Sequence, residues 1–220
     1  MYIFWVQLFI FTLRSSVWYP NYLDDSTTMS QLKAEKIYQD FVPLAKYWLK
    51  ELEYYGQNQF KTNIGQYPWT IGQLYDYLLN GVMEYHFEAI HCCLQRKQGH
   101  EKGKKTVKGI AVMLMGKYFP TKMKPGYYSP YQPQQMESIE KTQDLMFRFL
   151  KEMHKLAKEI DAAGVVDYKF THPKFGDLTA TEWYRVIEME FKYFTRYKKK
   201  MDLEIRSFTK VDDEDELIDA

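Results

Sequence analysis

Four residues that could do chemistry, His86, His91, Cys92 and Cys93, fall in one short stretch of the chain. An imidazole beside a thiol is the raw material of a nucleophilic cysteine. His86 and Cys92 are offset by six positions, which does not set them side by side on a helix, so such a pair needs a partner from another element. The expectation is therefore two buried cysteines acting as small apolar residues. Neighbouring helical positions point about 100° apart, so a disulfide between Cys92 and Cys93 would be strained. Both thiols are expected to be free, which fits a reducing cytoplasm. His172 precedes Pro173 and is expected to shape a turn, with a ligand role as the alternative. His154 falls late on a helix, where a cation suits the negative helix end. His100 sits among glycines and lysines and carries no signal. The sequence shows no phosphate-cradling glycine loop, no Ser-His-Asp order and no paired catalytic carboxylates. Glu182 and Glu188 are read as a helix cap and a solvent-side charge.

The elements that would position these residues are helices. Leu32, Ile37, Phe41, Leu44, Ala45, Trp48, Leu49 and Leu52 recur at steps of three and four, giving a first helix over 30–55 that Pro43 should kink or restart. Thr70-Ile71-Gly72-Gln73 has the spacing of a capping box and opens a second helix, to about Lys97. Its expected buried face is Leu74, Tyr77, Leu78, Gly81, Tyr85, Glu88, Ala89 and Cys92, and Gly99 and Gly103 should end it. A short helix over 104–115 would bury Ile110, Val112, Met113 and Leu114. The proline-rich run 119–133 reads as an extended loop, a candidate lid or a crossover strapped down by its tyrosines. A third helix spans 136–163 up to Gly164. Residues 165–170 could be extended, and His172-Pro173 opens a turn that ends at Gly176. Thr179-Ala180-Thr181-Glu182 is a second capping box, and its helix should run to about Ser207. No strong strand run is present. The fold class is all-α, a bundle of four helices with a long crossover between helices two and three.

The net charge of +1 over 220 residues gives no bulk attraction to nucleic acid or to an anionic membrane. The clusters Lys102–Lys108 and Arg196–Lys200 are read as solvated faces or frayed ends. Aromatic residues are abundant, with 19 Tyr and 14 Phe, enough to line a wet cleft or an interface as well as a core. Residues 1–28 read as an extension from an upstream start codon, because Met29 opens a more ordinary sequence and the apolar run Met1–Leu13 is short for a membrane span. A genuine anchor or export signal is the alternative, and the only route to a membrane. The expected division is an extension over 1–28, a helical domain over 29–207 and an acidic tail over 208–220.

Two segments carry a resemblance. Trp69-Thr70-Ile71-Gly72-Gln73-Leu74-Tyr75-Asp76-Tyr77 and His172-Pro173-Lys174-Phe175-Gly176, followed by Glu182-Trp183, resemble the DinB-like superfamily over about 29–205. That resemblance implies a four-helix bundle, often a homodimer, often dependent on Zn²⁺ or Ni²⁺, with thiol S-transferases among its members. It implies three metal-binding histidines, one on helix two and an i, i+4 pair on the last helix. Those positions fall here on Tyr77, Glu190 and Phe194, with Tyr193 where a further histidine is common. Phe194 has no donor atom, and a tyrosine is a poor ligand at neutral pH. The metal triad is expected to be absent, with a bond from the Tyr77 hydroxyl to Glu190 linking the two helices in its place. The functional expectation is a non-catalytic protein that binds a small apolar molecule in a Tyr-lined cleft or regulates a partner. The alternative is a metal-dependent hydrolase or thiol S-transferase rebuilt around Glu190 with His86 or His172.

Overall fold

The structure is a computed structural model and describes residues 33–216, apart from 64, 66 and 120–128, with the side chains of 206–216 outside the description. Residues 1–28, read above as an extension, lie outside the described residues. The described chain is mostly helical, with one small two-stranded sheet. Helix α1 is Ala34–Glu51, followed by a 3₁₀ turn at Leu52–Tyr54, and α2 is Gln57–Lys61. The second long helix changes character along its length. It begins as α3, Ile71–Asp76, becomes π-helical over Tyr77–Phe87, and finishes as α4, Glu88–Gln95. Then come α5, Val107–Met115, α6, Ile139–Ala163, strands β1, Phe170–His172, and β2, Gly176–Leu178, and finally α7, Ala180–Glu216. No helix among the described residues is long and apolar enough to cross a membrane.

Local sequence sets most helix starts. Thr70 Oγ1 accepts from Gln73 N at 3.0 Å and Gln73 Oε1 accepts from Thr70 N at 3.0 Å, a closed capping box. Thr179 and Glu182 form the same box at α7. Helix α1 has no such local cap at Lys33. Its first amides donate instead to Asp161 of α6, Ala34 N at 2.7 Å and Glu35 N at 3.1 Å. The cap is thus supplied by tertiary structure, at the contact where α1 packs most extensively. Phe41, Phe149 and Phe191 meet there at ring distances of 5.0 to 6.2 Å, bringing α1, α6 and α7 onto one aromatic core. Trp48 and Tyr75 add the second long helix to it.

Several expectations are corrected. Pro43 lies inside α1, which neither stops nor restarts there. The second long helix ends at Gln95, because Arg96 adopts a left-handed conformation (φ 52°) before either glycine is reached. Of the four residues expected to be buried on α5, Val112 and Met113 are; Ile110 and Leu114 face solvent, since this helix is covered on one side only. Helix α7 passes Ser207 and reaches Glu216, as no Gly or Pro follows Gly176 to stop it. Glu188 is buried rather than solvent-facing, and its Oε1 accepts from Lys192 Nζ at 2.6 Å. The antiparallel pair β1–β2 was not legible as strands, because three residues are too short for an alternating pattern.

That hairpin positions the turn ahead of α7. Trp183 Nε1 donates to Phe170 O at 3.1 Å, and Thr106 N donates to Phe175 O at 2.8 Å. Gly176 has φ +78°, and a Cβ there would meet Lys104 O at 2.6 Å, so the position excludes any larger residue. Of the proline-rich run, only its end is described. Asp76 pins it: its Oδ2 accepts from Tyr131 Oη at 2.8 Å and from Gln134 N at 2.7 Å.

Candidate functional site

The chemistry is concentrated around one carboxyl group on α7. Glu190 is completely buried. The Tyr77 hydroxyl, from the start of the π segment, donates to Glu190 Oε1 at 2.9 Å. His86, from the end of that segment, places Nε2 3.1 Å from Glu190 Oε2. The approach is off the axis of the ring nitrogen, so the two atoms are in contact without a hydrogen bond, and both remain unsatisfied.

The π-helical backbone is what brings Tyr77 and His86 to the same carboxyl. On an α-helix nine residues are two and a half turns, which would turn the two side chains to opposite sides. A backbone with i→i+5 bonds takes roughly 4.4 residues per turn, so nine residues make about two full turns. The helix-two face read at the α period is corrected accordingly: Glu88 is exposed, whereas His86 and Phe87 are buried. A scan at 3.6 residues per turn could not find His86 as a neighbour of Tyr77. The remaining signal is that apolar Leu78, Val82 and Phe87 recur at steps of four and five.

His172 joins the neighbourhood from the hairpin turn. Its Nδ1 accepts from Lys174 N at 3.1 Å and Phe175 N at 3.2 Å, so it does shape the turn. The ring is buried, and its Nε2 has no hydrogen-bond partner. The rings of His172 and His86 lie 5.0 and 5.5 Å from the Trp183 ring, and a charge on His86 bears on His172. Trp69, Tyr77 and Phe194 form an adjoining aromatic wall, with ring distances of 4.7 to 6.1 Å. Tyr193 belongs to a different contact: its hydroxyl lies 2.9 Å from that of Tyr197.

Burial makes this site uncharged. Desolvation drives the Glu190 carboxyl up to about 8, against a smaller downward pull from the Tyr77 bond. Desolvation drives the His86 imidazole down to about 3. His172 falls to about 2, first by desolvation and then through the positive charges of His86, Lys108 and Lys174. At neutral pH the group is a protonated acid beside two neutral imidazoles.

The donor set does not fit the divalent metal that the resemblance would imply. The Tyr77 hydroxyl is spent on Glu190, Phe194 offers no donor, and Glu190, His86 and His172 do not come together as a ligand set. No group of three or more His, Cys, Asp or Glu among the described residues is placed to bind a metal ion. Cys92 and Cys93 are free and buried; Cys93 Sγ donates to Leu178 O at 3.6 Å, and burial pushes its thiol up to about 12, away from nucleophilic use. No family model, curated protein or solved structure matches the chain.

Proposed function

We propose that the chain is a DinB-like four-helix bundle that binds a small molecule, rather than a metal ion, at Glu190. Its four long helices would be α1, the composite second helix, α6 and α7. Catalysis is not part of this reading. One observation carries it. Four polar atoms on three buried side chains, Glu190 Oε2, His86 Nδ1 and Nε2, and His172 Nε2, have no hydrogen-bond partner among the described residues. Each such atom costs on the order of 1–3 kcal/mol. Together they are a large fraction of the stability of a typical domain, a cost that a bound molecule or an internal water would relieve. The aromatic wall of Trp69, Tyr77 and Phe194 suits a ligand with an apolar body. The free cysteines suit a reducing compartment such as the cytoplasm.

Native mass spectrometry and metal analysis of protein purified without a histidine tag test this reading. The expected result is an organic adduct that dissociates on mild activation, with metal far below one per chain. Stoichiometric zinc or nickel would overturn it in favour of a metal site rebuilt on Glu190 and His86.

A further inference from the structure

We infer that α5 is a membrane-surface helix, whose outward apolar stripe, bordered by lysines, seats in the interfacial layer of an anionic lipid bilayer. The inference is independent of the Glu190 site. The segment Val107–Met115 is apolar nearly all round, and such a helix is expected to be covered on both faces. The fold covers one. Gly109, Val112 and Met113 are buried, and a Cβ on Gly109 would meet Phe175 O at 2.1 Å, so the helix backbone lies directly on the hairpin turn. Thr106 Oγ1 donates to Lys174 O at 2.9 Å and accepts from Gly109 N at 3.0 Å, which fixes the start of the helix against that turn. At about 100° per residue, Val107, Ile110, Ala111 and Leu114 then share about 100° of arc on the opposite side. Val107 is 86% exposed and Leu114 68%. An apolar stripe that the fold turns outward marks a contact surface.

Charge says what the stripe meets. From Lys102 to Phe119 the chain holds five lysines and no acidic residue. Lys105 pairs with Glu182 at 2.8 Å. Lys102, Lys104 and Lys117 are exposed, form no ion pair among the described residues, and flank the two ends of the helix. Asp177, which lies beside Gly103, is occupied by His100, Thr171 and the Lys104 amide. The net charge of +1 hides this local excess. Nine residues cannot cross a bilayer. A short apolar stripe can lie in its interface, with the lysine heads on anionic phosphates. A second copy fits less well, because a twofold contact between two such stripes sets lysines against lysines at either end. A protein groove fits less well too. The stripe offers on the order of a few hundred Å², against roughly 800 Å² a side for a stable interface. A bilayer asks for no complementary shape.

The test is flotation of the full chain with vesicles of phosphatidylcholine, with and without about one-third phosphatidylserine. Saturable binding to the phosphatidylserine vesicles is expected. It should weaken by about tenfold or more without the anionic lipid, and likewise when salt is raised from about 0.1 M to 0.5 M. Val107→Gln with Leu114→Gln should cost about tenfold, and Lys102→Gln with Lys104→Gln and Lys117→Gln at least about as much. Urea midpoints should stay at the parent value, because all five side chains are exposed. Binding that survives the Val107 and Leu114 pair would place the contact elsewhere, residues 1–13 included, and overturn the inference. Absence of binding to both vesicles would overturn it as well. A dimer in sedimentation that the same pair dissociates would then assign the stripe to a second copy of the chain.

Discussion

Glu190 and Lys198 lie on the same helix, both fully buried, and they have been treated in opposite ways. Lys198 is surrounded by partners. Its Nζ reaches Glu51 Oε2 at 2.6 Å and Asp202 Oδ2 at 2.9 Å, and stands 5.0 Å from the centre of the Tyr55 ring. The Tyr55 hydroxyl in turn donates to Asp202. This ammonium sits in a completed network that ties α1 to α7. Glu190 has one hydroxyl donor and one misaligned imidazole, and it gives up its charge instead. A buried charge with its partners supplied by the protein is scaffold; a buried group whose remaining bonds the protein leaves open is where a ligand can be recognised.

The comparison breaks most easily at Lys198. Lys198→Met strands two carboxylates, and loss of a buried ion pair costs about 3–5 kcal/mol. Glu51 and Asp202 keep side-chain exposures of 22% and 15%, so the lower end of that range is expected from urea denaturation. A loss under about 1 kcal/mol would remove the network from the scaffold.

The next effect is a pH profile. His86 and His172 are depressed from 6.5, so stability is gained as pH rises toward 6.5. Glu190 is raised from 4.5 to about 8, so the folded state holds a proton the unfolded state has lost, and stability falls as pH rises through that window. Between 4.5 and 6.5 the two histidines outweigh the one acid; above 6.5 Glu190 outweighs what remains of the histidine gain. Stability should therefore peak near pH 6.5 and drop by about 1 kcal/mol by pH 8. Chemical denaturation across pH measures this, and Glu190→Gln should flatten the upper limb. A flat upper limb in the parent chain would mean that Glu190 ionises normally.

Of similar size is Tyr77→Phe, expected to cost about 1 kcal/mol and to raise the Glu190 midpoint further, because the lost bond favours the ionised form. A ¹³C-carboxyl titration reads the midpoint. The smallest effect sharpens the contrast by leaving it alone. Thr179→Ala removes a helix cap for about 1 kcal/mol or less, with no change in the shape of the pH profile.

Much of the fold was legible because it is encoded locally. Thr70–Gln73 and Thr179–Glu182 place helix starts through bonds within one turn, and the stripe from Ile139 to Ile160 needs only the α period. That Tyr77 and Glu190 occupy facing positions came through the family resemblance, not through periodicity. His86 was mis-set because the sequence was read at 3.6 residues per turn through a stretch that does not keep that period. Lys198 was misread within a basic run as a solvated face, since charge counts say nothing about which lysine a neighbouring helix will cover.

By itself, then, the sequence determined the mostly helical class, the two capping boxes and the residue types at the candidate site. Tertiary structure decided their chemistry. Protonation of Glu190, the tautomer of His172 and the pairing of Lys198 all depend on desolvation and on partners far away in the chain, such as Glu51 for Lys198 and Tyr77 for Glu190. Those quantities exist only once the helices are packed, because burial sets the cost of a charge and the neighbouring elements set whether that cost is met.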